Sequence, residues 1–454
     1  MTVSIYFLYC IFKNKYRNCI DYYLERVKWK NKIILLSFLT LLLLIWQVYF
    51  VIFASTGIGF DVGIVASTVS HHNDMSWWFK ENYFSFYPNN LFLLYIEYTW
   101  HLAFGSTWHS LSFLSLFCVD LFMIITIVTS FVMSKKIVIT TWIFLLAWLS
   151  FFPYIIVPYT DTLVLPLISA YILFYVLLRK AELYWLKVVF SLIIGITLML
   201  SFFMKPTAVI PMIAILFVEL TTYVPSVFHV TYSKQHILKI AIILVAGISS
   251  MFVTNHIYTN AVNNQKYVRV DKNMKIPPVH FIAMGMHGNG GFDKEDAAKM
   301  YSSHSTAEMI KISNKTIIKN VEKYSLFQYF LFLIQKNKNN TSDGSFGWLE
   351  EGGFISEKPK NIIQQWIYPK GKYVNYFYAI SQIIWIIMLV NLVLVNTKNT
   401  DLYRYENVFK IAVLGGLTYL LIFEGGRSRY MIQFMPVIIL LLGMSKYRYA
   451  MKHL

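Results

Sequence analysis

The sequence predicts an all-α polytopic membrane protein with about ten transmembrane helices. Of its 454 residues, 57% are hydrophobic and 14% are charged, whereas soluble proteins are usually about 25% charged. One soluble core cannot bury so much apolar surface. The apolar residues also fall in runs suited to crossing a hydrocarbon layer of about 30 Å as helices, and Lys and Arg cluster at the ends of these runs.

Ten apolar runs are interpreted as spanning helices. Their bounds are 33–54, 111–133, 137–152, 163–178, 188–203, 207–220, 237–253, 376–395, 411–423 and 431–444. Residues 91–104 form a further, shorter apolar run that carries Glu97 and His101. If that run crossed the bilayer, every later basic cluster would change sides. We therefore predict that it lies at the membrane interface.

The basic clusters set the predicted orientation, because cytoplasmic loops are enriched in Lys and Arg. With ten spans, all of these clusters fall on one side, so we predict a cell-membrane protein with both termini in the cytoplasm. The predicted parts are a cytoplasmic segment 1–32, a membrane module 33–254 with a first external loop 55–110, a large external region 255–375, membrane helices 376–444 and a cytoplasmic tail 445–454. Both external segments are too apolar for plain solvated loops and should carry short helices on the membrane surface.

The net charge of +17 does not indicate a nucleic-acid-binding protein. The basic residues mark the ends of apolar runs instead of forming a compact stripe interleaved with polar residues. Cys10, Cys19 and Cys118 show neither metal-ligand spacing nor a disulfide framework. The predicted partners are therefore the lipid bilayer and ligands reached from it, with no nucleic acid.

Charged and polar residues that are far apart in the sequence fall at the predicted external ends of the spans. Taken singly, each is explained as well by a structural role, as a salt bridge or an interface anchor, as by a functional role. Lys205, Arg427 and Arg429, however, all break the positive-inside trend, which indicates an anion bound there, with phosphate the obvious candidate. The full set is Asp61, Asp161, Lys205, Glu424, Arg427, Arg429 and Tyr430.

Cations and a carboxylate at a bilayer surface favour one reaction in particular. A sugar joined to a lipid phosphate has a good leaving group, which Lys and Arg stabilise without protonating it. One carboxylate can then deprotonate an acceptor hydroxyl as it attacks the anomeric carbon, and direct attack inverts that carbon. Glycoside hydrolysis typically needs two carboxylates. The residues thus predict a glycosyltransferase with a single base and a cationic phosphate site.

Six short motifs follow one another along most of the chain. They are Tyr87-Pro88-Asn89-Asn90, Pro158-Tyr159-Thr160-Asp161-Thr162, Lys205-Pro206-Thr207, Gly285-Met286-His287-Gly288-Asn289-Gly290-Gly291, Asp343-Gly344-Ser345-Phe346-Gly347-Trp348 and Arg427-Ser428-Arg429-Tyr430. In this order they resemble the GT-C superfamily of polytopic glycosyltransferases, and more closely its family 39-like branch in Gram-positive bacteria. The resemblance implies a GT-C-like architecture and transfer of a monosaccharide from a polyprenyl-phosphate sugar. The acceptor would be an extracytoplasmic glycan or protein, such as teichoic acid or another cell-wall polymer.

The resemblance also implies roles for individual residues. Asp61 would be the catalytic base, and Asp161 a second acidic site residue that helps to bind a metal in some relatives. The residues that contact the donor phosphate would be Lys205, Arg427, Arg429 and Tyr430. Weaker candidates for substrate binding are Tyr87, Asn89, Asn90 and Glu424. The first loop lacks the paired acids of several GT-C families, so a divalent metal ion on Asp61 and Asp161 remains an open question.

Two further groups have competing interpretations. His71, His72 and Asp74 cluster in the first loop, but adjacent histidines point apart on a helix or strand, which disfavours a shared metal. Glu97 and His101 are four residues apart and share a helix face, where a hydrogen-bonded structural pair is the favoured interpretation.

Two other classes of function also remain open. A lipid-linked sugar flippase or transporter would need charged residues along a path through the bilayer, and Asp120 is the main residue of that kind. A non-catalytic membrane component of polysaccharide assembly would tolerate alanine at Asp61 and Lys205.

Overall fold

The computed structural model describes residues 27–74, 76–229, 234–348, 355–398 and 400–446. Most of the predicted cytoplasmic segment 1–32 and of the predicted tail 445–454 lies outside the described residues, as do Cys10 and Cys19. The described residues fold into helices joined by turns and loops, so the predicted all-α class is confirmed.

The longer helices are α1 (Trp29–Ala54), α2 (Phe60–Ser70), α3 (Leu91–Phe104), α4 (Trp108–Met133), α5 (Lys135–Leu149), α6 (Leu165–Lys180), α7 (Tyr184–Met204), α8 (Ile210–His229), α9 (Lys234–Asn264), α10 (Thr306–Lys323), α11 (Leu326–Thr341), α12 (Val374–Val393), α13 (Tyr403–Ile422) and α14 (Met435–Gly443). Short α-helices cover Trp78–Glu81, Tyr83–Phe86, Thr160–Leu163, Pro278–Met284, Lys294–Tyr301 and Ile362–Ile367. Short 3-10 helices cover Pro88–Asn90, Pro153–Ile156, Pro206–Val209, Lys272–Met274, Ser428–Phe434 and Met444–Lys446.

Seven helical stretches in the described part of the chain are long and apolar enough to cross a membrane. They are Trp29–Ala54, Trp108–Met133, Thr160–Lys180, Tyr184–Met204, Ile237–Asn264, Val374–Val393 and Tyr403–Ile422. The other three predicted spans coincide with shorter apolar helices, namely α5 and the stretches Pro206–Thr222 and Ser428–Gly443. The multi-pass membrane class is therefore confirmed, and ten crossings stay a prediction.

The short apolar run 91–104 forms α3, which has 14 residues. At 1.5 Å per residue it is about 21 Å long, which is short of the hydrocarbon thickness. It does not belong to the seven stretches that are long and apolar enough to cross. This agrees with its predicted place at the interface.

The core of the bundle lies around α14 and α6. All nine residues of α14 are buried, and this helix packs against α4, α5 and α13. Helix α6 lies between α4 and α7, while α8 packs on α13. The side chains of α1 and α9 are mostly exposed instead, as expected for helices that face lipid.

Glu219, in the middle of α8, joins three helices. Its carboxylate accepts a hydrogen bond from Arg179 of α6 at 2.6 Å and from Arg404 of α13 at 3.2 Å. The Tyr175 hydroxyl donates to the same carboxylate at 2.6 Å. The basic residues at these helix ends thus gather around one acid.

Candidate active site

Four segments that are remote in sequence meet where helices begin or end. They are the start of α2, the turn before the helix Thr160–Leu163, the break between α7 and α8, and the segment that follows α13. The Tyr159 hydroxyl donates a hydrogen bond to Asp61 Oδ2 at 3.1 Å. Lys205 Nζ pairs with Asp161 Oδ1, and Arg429 Nε lies 3.5 Å from Asp161 Oδ2. The structure therefore brings the predicted acids and cations into one cluster.

Asp161 is held between two cations. Only 2% of the residue is exposed, and its two carboxylate oxygens face Lys205 and Arg429 separately. A buried carboxylate of this kind needs such partners, because an unpaired charge in a low-dielectric environment is costly. Asp161 thus fixes the relative positions of the two cations.

Asp61 lies in the first turn of α2, where the helix dipole favours a negative charge. The preceding residue, Phe60, has a φ of 48°, a left-handed conformation that costs a non-glycine residue about 1 kcal/mol or more. In this conformation the Phe60 ring contacts Arg429, whose guanidinium lies 4.8 Å from the centre of the ring. Phe60 and Asp61 therefore connect the start of α2 to the cation cluster.

Aromatic rings surround Lys205 and Arg429. Arg429 lies 5.9 Å from the Tyr159 ring and 5.6 Å from the Tyr430 ring, and Lys205 Nζ lies 5.3 Å from the Tyr430 ring. Cation–π contacts stabilise a cation without neutralising it. The rings therefore leave the charge of both cations available to an anionic ligand.

Glu424 is a third acid of the cluster and accepts a hydrogen bond from the Tyr430 hydroxyl at 2.6 Å. Burial raises the pKa of the Glu424 carboxyl above its ordinary value, although Tyr430 and the nearby charges of Arg427 and Arg429 act in the opposite direction. Arg427 lies 5.7 Å from the centre of the Phe292 ring.

We expect Glu424→Gln to stabilise the protein at about pH 8 and to have little effect at about pH 4. A carboxyl whose pKa is raised by folding loses native stability as the pH rises through that pKa, and an amide does not ionise. Thermal unfolding of both proteins across this pH range checks the prediction. A constant difference between them at all pH values would contradict it.

The glycine-rich motif packs backbone against backbone on the segment that carries Glu424. The Gly425 amide donates to Gly290 O at 2.8 Å. Gly426 has a φ of 68°, and a Cβ there would lie 2.2 Å from Asn289 O. This close approach explains why glycines occupy both sides of the contact. The motif thus supports the site through its main chain.

Lys336 ties the glycine-rich motif to the end of α13. It is only 1% exposed, and its ammonium donates to the carbonyls of Gly285, Leu421 and Phe423 at 2.6, 3.1 and 2.7 Å. Burial lowers the pKa of Lys336 to about 8. The stem of Lys336 packs on Gly290, where a Cβ would lie 2.5 Å from the lysine Cδ.

The C-terminal end of α11 also positions the arginine segment. Asn340 Oδ1 accepts a hydrogen bond from the Arg427 amide at 3.3 Å, and the Ser428 hydroxyl donates to Asn339 O at 2.8 Å.

Sequence reasoning missed the role of Lys336. Its one signal is a lysine two residues after the apolar stretch of α11 ends.

We expect Lys336→Met to lower the free energy of unfolding by about 3 kcal/mol or more, because three buried carbonyls lose a charged donor. Lys338→Met is the matched control, since Lys338 is exposed on the same helix. Thermal unfolding in detergent micelles measures both. Equal unfolding temperatures for the two variants would show that the three hydrogen bonds contribute nothing.

The other weaker candidates, Tyr87, Asn89 and Asn90, lie around Tyr83, a buried residue of the first loop that sequence reasoning missed. Asn90 donates to the Tyr83 hydroxyl at 2.6 Å, and Asn89 donates to Asn90 at 3.3 Å. The charge of Asp61 and a hydrogen bond to it are among the causes, after burial, that raise the pKa of Tyr83. Tyr87 shares a hydrogen bond of 2.7 Å with the hydroxyl of Tyr301. Tyr87 and Asn90 therefore line the Asp61 side of the cluster, and Asn89 is exposed.

The Asp343–Trp348 motif uses its polar groups for folding. Asp343 accepts hydrogen bonds from the Ser345 amide and hydroxyl and from the Gly347 amide at 2.6–2.8 Å. The Tyr154 hydroxyl donates to Phe346 O, and Trp348 donates to Ile367 O. This motif anchors the segment that follows α11 to the 3-10 helix Pro153–Ile156.

The described residues contain no group of three or more His, Cys, Asp or Glu side chains that could hold a metal ion. In the first loop, His71 stacks on Trp77 and Asp74 accepts hydrogen bonds from Ser76. Both oxygens of Asp161 already face cations. A divalent ion on Asp161 would therefore have to compete with Lys205 and Arg429.

The interpretation of Glu97 and His101 as a hydrogen-bonded pair is wrong. Both carboxylate oxygens of Glu97 are buried without a hydrogen-bond partner, and the His101 ring packs instead on His72 at 4.6 Å. Glu97 and His101 do lie four residues apart on α3. The Glu97 side chain, however, is directed into the bundle, where it is 0% exposed.

Comparison with known proteins shows which family the chain represents. No curated protein sequence matches it. Among solved structures, the crystal structure of ArnT from Cupriavidus metallidurans in the apo state is similar at 12% identity and a TM-score of 0.37, over 92% of this chain and 78% of that chain. The model of one family, described as conserved hypothetical integral membrane protein, matches residues 1–450. The chain therefore belongs to this family of integral membrane proteins.

Proposed function

We propose that this protein is a GT-C glycosyltransferase that moves a monosaccharide from a polyprenyl-phosphate sugar to an extracytoplasmic acceptor. One observation carries the proposal: the Asp61 carboxylate, held by Tyr159, shares a cluster with Lys205 and Arg429. The order of the six motifs adds support. Teichoic acid, another cell-wall polymer and protein are the acceptors to be tested.

The proposed reaction needs a base and a site for the leaving phosphate. Asp61 takes the proton of the acceptor hydroxyl while the hydroxyl oxygen attacks the anomeric carbon. The bond from that carbon to the phosphate oxygen breaks, and its electron pair leaves with the polyprenyl phosphate. Lys205, Arg427 and Arg429 stabilise the charge that develops there. Attack opposite to the leaving group inverts the anomeric carbon.

The other acids have separate proposed roles. Asp161 orients Lys205 and Arg429, since both of its oxygens face them, and it accepts no proton in the reaction. Glu424 orients Tyr430 through their hydrogen bond. The proposed steps need no metal ion, because Lys205, Arg427 and Arg429 supply the positive charge, and both oxygens of Asp161 already face two of these cations. The active site would lie on the extracytoplasmic side, which the positive-inside pattern of the sequence favours.

Reconstitution tests the proposal directly. Purified protein in vesicles receives a polyprenyl-phosphate sugar with a labelled sugar and candidate acceptors. We expect labelled acceptor and free polyprenyl phosphate in equal amounts. Labelled lipid that crosses the bilayer with no covalent product would instead identify a flippase.

A further inference from the structure

The first turns of α11 present a ridge of large apolar side chains that no described part of the chain covers. Leu326 is 93% exposed and Phe327 is 68% exposed. We call this set the α11 ridge: Leu326, Phe327, Phe330, Leu331 and Ile334. At about 100° per residue, these positions share one side of the helix. A continuous exposed apolar surface of this kind indicates contact with a membrane or with another protein.

The helix that carries the α11 ridge has a capped N-terminus. The Ser325 hydroxyl accepts a hydrogen bond from the Gln328 amide at 3.3 Å, and the Gln328 side chain accepts one from the Ser325 amide at 2.9 Å. This capping box fixes the first turn. The exposure of Leu326 and Phe327 therefore reflects the folded helix and not a frayed end.

The other end of α11 sets its height relative to the bilayer. Lys336 bonds to the carbonyl of Leu421 in the last turn of α13, a candidate membrane span. The neighbouring Ile422 is 49% exposed on the outside of the bundle. Because α11 contacts α13 where that helix ends, α11 lies at the level of the membrane surface. The α11 ridge is thus continuous with a surface that faces lipid.

The preceding helix, α10, carries a row of lysines beside its own exposed apolar residues. The lysine row is Lys311, Lys315, Lys319 and Lys323, which are all exposed and are four residues apart. Ile318 and Val321 are each 59% exposed. A helix with an apolar side flanked by lysines is typical of helices that lie in the interface of anionic membranes.

We propose that α10 and α11 form an interfacial anchor that inserts into the leaflet on the side of the candidate site. The α11 ridge enters the acyl-chain region, and the lysine row binds the phosphates of anionic lipids. The charge complementarity and the contact with α13 favour the bilayer over a partner protein. This inference does not depend on the proposed transfer reaction.

Electron paramagnetic resonance measures the depth of the ridge in the full-length protein. Cys10, Cys19 and Cys118 are replaced with serine, and a nitroxide is attached at Phe330→Cys. Gln335→Cys is the matched control, because Gln335 is exposed on another side of α11. The vesicles contain phosphatidylcholine alone or mixed with phosphatidylglycerol. We expect the label at 330 to collide with oxygen more than with an aqueous nickel chelate, and the label at 335 to show the reverse.

The lipid dependence tests the lysine row. We expect the label at 330 to lie deeper when phosphatidylglycerol is present. The combined variant Lys311→Gln, Lys315→Gln and Lys319→Gln should remove that difference. Equal nickel collisions at 330 and 335 would overturn the anchor. A label at 330 that is shielded from both reagents would also overturn it, because such shielding indicates a protein contact. If the label at 330 lies at the same depth with and without phosphatidylglycerol while the lysines are intact, the role of the lysines is overturned.

Discussion

Asp61→Asn is expected to lower the rate of sugar transfer by about 10²–10⁴-fold, the usual contribution of a general base. The asparagine has nearly the same shape, and its carbonyl can still accept the hydrogen bond from Tyr159. The amide cannot take a proton from the acceptor hydroxyl. We therefore expect kcat to fall while the KM for the donor changes little, because Lys205 and Arg429 keep their partner Asp161.

The control for this prediction is Asp74→Asn, which changes the other aspartate of the same loop. Asp74 accepts its hydrogen bonds from Ser76 and is exposed. We expect normal transfer by this variant. The measurement is the initial rate of labelled-sugar transfer in vesicles. Retention of full activity by Asp61→Asn would remove Asp61 as the base, and an equal loss in both variants would point to the fold of the loop.

The convergence of the cluster could be predicted from sequence because charge is costly at a membrane surface unless it is paired. Asp161, Lys205 and Arg429 are charged residues among long apolar runs. Because such residues are few, each has few possible partners. The aromatic partners could not be predicted in the same way. The chain has 32 tyrosines, and nothing local separates Tyr83 from the rest.

The existence of the helices was easier to predict than their ends. The run 237–253 marks α9, but the helix continues to Asn264, because backbone hydrogen bonds do not stop where apolar residues stop. At Lys205-Pro206 the break was predictable, since proline lacks the amide donor. The glycines near Gly290 gave a motif, but their partner Lys336 depends on packing between remote segments.

Asp161→Asn is expected to cost about 3–5 kcal/mol of stability, the usual effect of removing one partner from a buried ion pair. Lys205 and Arg429 would then remain buried with less negative charge beside them. If these cations also form the phosphate site, an anionic ligand should replace part of what the variant has lost. We therefore expect polyprenyl phosphate to raise the unfolding temperature of Asp161→Asn more than that of the unmodified protein.

Asp343→Asn separates this effect from a general loss of stability. Asp343 is buried like Asp161, but it accepts its hydrogen bonds from the amides and the hydroxyl of its own turn. We expect this variant to unfold at a lower temperature as well, with no extra protection by polyprenyl phosphate. Thermal unfolding of the three proteins with and without the lipid decides the matter. If the lipid protects Asp161→Asn no more than Asp343→Asn, Lys205 and Arg429 serve the fold alone, and the phosphate must bind elsewhere.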